Sequence, residues 1–403
     1  MKMSIRKTKL AFAISTALMA SAVSMPASAV NLTDNGLGEV ILSPYYTVRN
    51  GYDTYLSVVN TSDDRVVAFK IRFRESDNSR DARDFIVFLS PNDVWTAVVT
   101  MGDDGETPVV QTADNSCTAP ALSASAATTE GMRGVAFTNI DYTGDNADTG
   151  ETSIERTTDG HFEIIAMGSA TVDKPLAAAA VHKQPEGVPA NCQLLINTLA
   201  NEGVPPFKLQ YDEPINTLKG AAALIKVDEG KAIGIPVSIL ANFFNPNGIE
   251  DLANLSPEDI FQTPAADLPN LNDAFPALAT LVTNQYGPMS VFFDRGVDAV
   301  SALFMTTEVI NEYAIGGAAN AETDWIVTYP TKQFYVDADR EGAQPALPPF
   351  NDAFQADGQS CEVVSYNYFN REEREPSISY ELDFSPAPPG TPKSAICQEV
   401  MNL

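Results

Sequence analysis

Apolar and polar residues alternate along much of residues 42–99, which predicts antiparallel strands joined by short polar turns. In 66–75 the apolar Val67, Phe69, Ile71 and Phe73 alternate with Ala68, Lys70, Arg72 and Arg74. One face of this strand is therefore expected to be apolar, and the other basic and in contact with water. Residues 85–89 are apolar throughout, as in a strand covered on both sides. Together with 55–59 and 94–99 they make four strands at about ten-residue spacing, which is typical of a sandwich or barrel.

The rest of the chain adds short helices and a second set of strands. Helical propensity or spacing appears at 175–183, 192–202 and 273–286, a hairpin at 221–240, and a long exposed loop at 102–129. From residue 289 strands are predicted at 290–293, 300–304, 309–313, 325–329, 334–336, 362–369 and 378–384. The sequence thus predicts a mainly β chain of antiparallel, sandwich-like (Ig-like) units with short helical insertions. The expected parts are a leader (1–29), an N-terminal sandwich (30–172), a mixed helical and hairpin insertion (173–287) and a C-terminal β domain (288–403).

The first 29 residues have the pattern of a secretory signal peptide. Four basic residues precede an apolar run, and Ala27-Ser28-Ala29 supplies a small-residue cleavage site. The apolar run is shorter than the roughly 20 residues that a membrane span needs. We therefore expect export to the cell surface or the extracellular space, with a processed chain that begins at Val30.

The chain is strongly acidic. Its formal charge of −28 becomes −32 without the leader, which carries four basic residues and no acidic one. Nucleic acid is an unsuitable partner for such a chain, because its binding depends on Lys and Arg neutralising phosphates. Acidity of this kind suits a protein in salty surroundings rich in divalent cations, which screen or bridge carboxylates.

Four cysteines accompany the leader, and an even number in an oxidising compartment favours disulfides. Three connectivities are possible. Cys117–Cys192 and Cys361–Cys397 are preferred, because each pair lies within one half of the chain.

One acidic loop is a candidate calcium site. Residues 141–151 gather Asp141, Asp145, Asp148 and Glu151 among glycines, and calcium takes six to eight oxygen ligands. The spacing is not that of an EF-hand, and an ordinary solvated loop is the alternative.

Five basic residues stand out in so acidic a chain: Lys70, Arg72, Arg74, Arg80 and Arg83. They could form a docking surface for an acidic patch on a neighbouring copy, since complementary charge sets register between subunits. The simpler interpretation pairs them with Asp77, Asp81 and Asp84 on the same face of the sheet.

No catalytic motif is present. GxGxxG, P-loop and HExxH patterns are missing, and Gly168-Ser169-Ala170 lacks the second glycine of a nucleophile elbow. His161 and His182 are the only imidazoles, and each is expected to be structural. The sequence therefore predicts a protein that is not an enzyme.

Five blocks resemble a group of abundant secreted proteins of marine gammaproteobacteria described as surface-layer or surface-layer-like proteins. The blocks are SPYYTVRNGYDTYLSVVNTSD, DFIVFLSPNDVWTA, GHFEIIAMG, VDAVSALFMTTEVINEY and ETDWIVTYPTKQFYVD. The resemblance implies a location and a habit of assembly, not a reaction. The expected function is a self-assembling surface subunit supported by divalent cations, with outer-membrane lipopolysaccharide or a surface glycan as a possible anchor. A secreted or periplasmic hydrolase or glycan-binding protein is the alternative.

Overall fold

A computed structural model of the chain describes residues 2–6, 29–244, 260–283, 287–306, 308–314, 323–337, 346–355, 358–369 and 395–402. The strands are β1 Lys2–Arg6, β2 Asn31–Leu32, β3 Val40–Thr47, β4 Asp53–Asn60, β5 Arg65–Glu75, β6 Asp81–Leu89, β7 Val94–Met101, β8 Pro108–Thr112, β9 Cys117–Ala119, β10 Arg133–Ala136, β11 Asp159–Thr171, β12 His182–Lys183, β13 Val188–Pro189, β14 Leu218–Lys226, β15 Lys231–Ile235, β16 Ser238–Ala241, β17 Leu278–Thr283, β18 Gly287–Phe292, β19 Glu308–Glu312, β20 Ile326–Thr328, β21 Glu362–Val363, β22 Ser365–Phe369, β23 Ala395–Ile396 and β24 Val400–Asn402. The α-helices are α1 Pro175–Ala180, α2 Cys192–Asn201, α3 Pro205–Lys208, α4 Gly296–Phe304 and α5 Gln333–Val336.

Two antiparallel sheets face each other across one apolar core. The seven-stranded sheet has the order β2-β16-β3-β11-β5-β6-β9, and the six-stranded sheet has the order β10-β8-β7-β4-β14-β15. The prediction of a mainly β chain with antiparallel, sandwich-like packing is confirmed. An immunoglobulin-type sandwich has seven to nine strands, so the larger sheets do not confirm the finer Ig-like description.

The strand alternation that the sequence shows builds the core between the sheets. Phe69, Ile71 and Phe73 of β5 point inward from one sheet and meet Trp95 and Val99 of β7 from the other, all fully buried. The Trp95 ring lies edge-on to Phe69, with centroids 6.3 Å apart. Large rings supply most of the buried apolar area in such a core, which fixes the two sheets against each other.

The outer face of the seven-stranded sheet is also covered. At one end α1 and α2 pack on apolar residues of β5 and β6, among them Ala68 and Phe88. At the other edge Val40 and Leu42 of β3 pack against residues from the C-terminal part of the chain, including Val297 of α4. The two sheets and this covering layer make three layers, rather than the two of a simple sandwich.

Four predicted elements differ from the observed ones. Residues 300–304 belong to helix α4 and 334–336 to helix α5, not to strands, and the predicted helix at 273–286 contains β17, which pairs with β18. The predicted exposed loop at 102–129 contains the buried strands β8 and β9. Short apolar runs fit either period, so pairing partners decide their structure. The strand predicted at 378–384 lies outside the described residues.

The predicted insertion at 173–287 contributes to both sheets. Its hairpin β14–β15 is confirmed and extends the six-stranded sheet beside β4, while β16 pairs with β3 in the seven-stranded sheet. The boundary at residue 172 thus does not separate these strands from the N-terminal sandwich. Within the described part of 288–403 the strands form only two- and three-stranded sheets, one of them completed by β1 between β19 and β22.

Two disulfides join distant segments, Cys117 to Cys192 and Cys361 to Cys397, which is the preferred pairing. The first ties β9 to the start of α2. The second fastens the C-terminal strands. Across the described ranges, no helix is long and apolar enough to cross a membrane.

Candidate functional site

A layer of charged side chains lies on the outer side of the seven-stranded sheet. Strand register places Glu163 of β11 and Asp84 of β6 on either side of Arg72 of β5. Three cations and three carboxylates form this group, called below the buried ion layer: Lys70, Arg72, Arg74, Asp81, Asp84 and Glu163. The side chains of its three cations are at most 2% exposed.

Short ion pairs join the members of this layer. Arg72 Nη1 and Arg74 Nη2 each lie 3.1 Å from Glu163 Oε1. Arg74 Nη1 lies 2.7 Å from Asp81 Oδ1. Burial disfavours the charged form of Arg72, but the carboxylates of Asp81 and Glu163 more than offset it and raise the pKa of the guanidinium. The formal charges of the layer cancel, which is the condition for burying so many ions.

Residues 263–269 cross over the layer and are held by its cations. Lys70 Nζ donates to the carbonyl oxygens of Ala266 and Leu268, at 2.5 and 2.7 Å. Burial and the neighbouring Arg72 lower the pKa of Lys70 to about 8. The cations therefore join a β-strand to a covering segment almost 200 positions later in the chain.

The prediction that this face of β5 is in contact with water is wrong, because alternation reveals two faces but not a later segment that covers one of them. The cations are also unavailable as a docking surface for another copy. Their pairing with Asp81 and Asp84 is confirmed. The remaining residues have other partners: Asp77 lies 3.5 Å from Arg156, Arg80 lies 3.0 Å from Asp337, and Arg83 donates to the carbonyl of Ala136.

The predicted calcium loop is organised by an arginine. Arg156 Nη2 lies 2.7 Å from Asp148 Oδ2, and its Nε lies 2.9 Å from the fully buried Glu75 carboxylate. The guanidinium also lies 4.4 Å from the centre of the Tyr142 ring. Burial opposes ionisation of Asp148, but hydrogen bonds from Arg156 and Asn78 lower its pKa. An internal cation therefore neutralises the carboxylate at the centre of this loop.

The four carboxylates of the candidate site do not converge. Asp141 accepts a hydrogen bond from the backbone N–H of Asp81, Asp148 pairs with Arg156, Asp145 is exposed, and Glu151 accepts from the backbone N–H of Ser153. Among the residues that the structure describes, no group of three or more His, Cys, Asp or Glu side chains is arranged to hold a metal ion.

His182 lies beside a serine and a carboxylate, but not in a catalytic arrangement. Ser90 Oγ is 2.7 Å and Asp93 Oδ2 is 3.3 Å from the same ring nitrogen, Nδ1. In a Ser–His–acid relay the serine and the acid contact opposite nitrogens, so that the base can take one proton while the acid orients it. Ser90 Oγ also donates directly to Asp93, 3.0 Å away. The cluster is a hydrogen-bonded turn.

His161 is buried under the outer layer. It is 1% exposed, and neither ring nitrogen has a hydrogen-bond partner among the described residues. Burial, together with the charge of Arg74, lowers its pKa to about 3, so the imidazole is neutral at ordinary pH.

Two of the cavities that reach the surface are lined mainly by polar residues. One, of about 440 Å³, lies beside the Arg156 cluster, where Arg49 pairs with Asp159 at 3.1 Å. The other, of about 470 Å³, lies beside the buried Glu39 carboxylate. Typical small-molecule sites are mostly apolar with a few converging polar groups, and neither cavity has that character.

Along β4, β7 and β14, no described segment covers the outer face of the six-stranded sheet, whereas at β8 residues 128–129 lie over Gln111. Burial alternates along β4, β7 and β14, with every second residue half-buried or exposed on the side away from the core. These outward residues define what we call the open face: Asp53, Tyr55, Ser57, Val59, Val94, Thr96, Val98, Thr100, Lys219, Ala221, Ala223 and Ile225. Of these twelve residues, only Asp53 and Lys219 are charged.

Comparisons of the chain with protein-family models, curated proteins and solved structures give no match.

Proposed function

We propose that the protein is an exported, non-enzymatic structural component of the cell surface, an S-layer-like subunit whose copies pack into an array. Divalent cations would support that array from between copies, where acidic surfaces meet, since the acidic loop at 141–151 already has an internal arginine. The processed chain would act outside the cell, with lipopolysaccharide or a surface glycan as its anchor.

The observation that carries this proposal is that charged side chains join strands and layers inside the molecule through ion pairs and hydrogen bonds. Arg72 and Glu163 join strands, and Lys70 joins the sheet to its covering segment. Arg156 does the same for a surface loop. Groups that could do acid–base chemistry are thus committed to holding layers together, which favours a rigid building block over a reactive centre.

Three further features support the proposal. The predicted leader and the two disulfides suit an oxidising location outside the cytoplasm. The large negative charge suits an environment rich in cations. Five sequence blocks resemble surface-layer-like proteins. A rigid subunit with head-to-tail contacts can propagate those contacts into a sheet.

The test is electron microscopy of envelopes from cells that export the chain with its own leader, in millimolar calcium and after chelation. We expect an ordered surface array that loosens when calcium is removed, and degradation of the protein by protease added to intact cells. A monodisperse periplasmic protein that hydrolyses an ester, peptide or glycoside, with activity lost in His182→Gln, would contradict the proposal.

A further inference from the structure

We propose that the open face of the six-stranded sheet is a contact surface between two copies of this chain. The inference deepens the proposed function, on which its choice of partner rests. It stands on the charge distribution of the open face and on the register of its strands.

The open face differs in charge from the rest of the chain. Its twelve outward residues carry one acid and one base, so their formal charge is zero, whereas the whole chain carries −28. Two copies repel each other over most of their surfaces, and repulsion is smallest where neutral areas meet. Tyr55 and Val94 are 36% and 43% exposed on this face, so apolar area is available for burial.

The two charges lie at opposite ends of the open face. Asp53 begins β4 next to Ile225, while Lys219 lies beside Val59 at the far end of the same strand, because β14 runs antiparallel to β4. A two-fold axis in the plane between two stacked sheets, perpendicular to the strands, places the Asp53 end of one copy over the Lys219 end of the other. Both unlike pairs then form, offset by one strand spacing of roughly 5 Å.

The other simple two-fold arrangement brings like charges together. An axis parallel to the strands would place Asp53 over the region of Asp53 in the second copy, and likewise Lys219. Because apposed like charges disfavour the wrong partner arrangement, this pair of residues selects the first orientation.

The size of the open face sets the strength of the contact. Three strands of eight residues cover about 14 by 27 Å, or about 400 Å² in projection. A stable complex buries roughly 800 Å² per partner. A single pair is therefore expected to be weak, and the contact becomes effective when repeated in an array.

Sedimentation velocity of the exported protein, over a concentration series to about 1 mM in chelator, tests the surface directly. We expect concentration-dependent dimers for the wild type and at least tenfold weaker association for Val98→Glu, whose side chain lies beside Tyr55 on the open face. Leu209→Glu is the matched control, because Leu209 is 85% exposed and lies outside both sheets. A wild type that stays monomeric, or equal association of Val98→Glu and wild type with unchanged melting temperature, would overturn the proposal.

Charge reversal tests the two-fold orientation independently. Lys219→Glu should weaken association several-fold, and Asp53→Lys together with Lys219→Glu should restore it to near the wild-type value. A double variant no stronger than the single variant would overturn this orientation.

The same variants separate this proposal from the proposed function. Arrays on cells that persist unchanged with Val98→Glu would show that assembly uses another surface. Dimers in solution that depend on Val98, without any array on cells, would retain the contact and reject the surface-layer function.

Discussion

The outer faces of the two sheets are opposites. Outside the seven-stranded sheet lie six charged side chains, covered by later parts of the chain. On the open face of the six-stranded sheet lie residues such as Tyr55, Thr96 and Val98, which no described segment covers and which are almost without charge. A sheet with one face in water normally has its polar residues on that face. In this chain the charged residues lie on the covered face, and the uncovered face is nearly neutral.

The difference shows that a charged residue in a strand is not necessarily exposed to solvent. Arg72 and Arg74 tolerate burial because Glu163 lies 3.1 Å from both. Arg72 also donates to the carbonyl of Pro269 in the covering segment, and Arg74 donates to the carbonyl of Ser79. Conversely, a neutral strand face is not necessarily buried within its own chain. The open face is the surface that we propose for contact with a second chain.

The largest expected effect comes from placing the same charge on both faces. Ala68 of β5 is fully buried under the outer layer, whereas Ala223 of β14 lies on the open face. Ala68→Glu inserts an unpaired carboxylate into packed apolar surroundings and should lower the free energy of unfolding by more than about 4 kcal/mol. Ala223→Glu should change it by about 0.5 kcal/mol. Urea denaturation of both variants measures the contrast, and similar losses would mean that the two faces are equally covered.

Next in size is the removal of one cation from the buried ion layer. Arg72→Met should destabilise the fold by about 3–5 kcal/mol, because it leaves buried carboxylates short of a partner. The control is Asp212→Ala, which removes the exposed partner of Arg65 and should change stability by about 1 kcal/mol or less. Thermal unfolding compares them. A loss for Arg72→Met as small as that of the control would show that the ion layer does not hold the covering segment.

The acidic loop provides a third comparison, between an internal cation and a metal. Arg156→Lys keeps the charge but cannot contact Glu75 and Asp148 together, so it should lower stability by about 2 kcal/mol or more. Chelation of calcium should leave the melting temperature of the isolated protein unchanged. Hydrogen exchange in 139–158 localises the effect, and protection that disappears on chelation in the wild type would assign the loop to a metal instead.

A pH-dependent effect is expected from a buried acid on the covered side that forms no ion pair with any described residue. Burial raises the pKa of Glu39 to about 8, although backbone N–H groups of Phe244 and Phe243 lower it in part. Between pH 4.5 and 8 the folded chain keeps a proton that the unfolded chain has released. The stability from Glu39 is therefore complete below pH 4.5 and is lost as the pH rises through 8.

Glu39→Gln should flatten the dependence of the unfolding free energy on pH over that window. Urea titrations at pH 5, 6.5 and 8 would show it. If the unfolding free energies of variant and wild type depend equally on pH, Glu39 does not cause that dependence.

Much of the fold could be predicted from alternation alone. The strands from β4 to β7 lie where the pattern places them, because the two-residue period of a strand is visible in Val67, Phe69, Ile71 and Phe73. The hairpin β14–β15 and helices α1 and α2 also agree with local signals. Elements whose structure depends on a distant partner could not be predicted: the spacing in 273–286 fits a helix, yet Pro276 interrupts it and β18 pairs with residues 278–283.

The candidate surfaces were only partly visible in the sequence. Lys70, Arg72 and Arg74 stood out, but nothing local reveals that residues 263–269 cover them. Arg156 gave a signal that was missed, since it is a lone cation directly after the acidic loop. The open face had only Asp53 and Lys219 as charges and no motif to mark it, because its distinguishing property is that no later described segment returns to cover it.

The central claim is that the charged face is covered and the nearly neutral face is open. Lysine labelling of the native protein with an amine-reactive reagent, read by mass spectrometry, tests this claim most directly. Lys219 is exposed on the open face, while Lys70 is 2% exposed within the buried ion layer. Lys219 should react as fast as it does in the unfolded chain, and Lys70 should stay unmodified until denaturant is added. Comparable labelling of the two lysines in the native state would contradict the account.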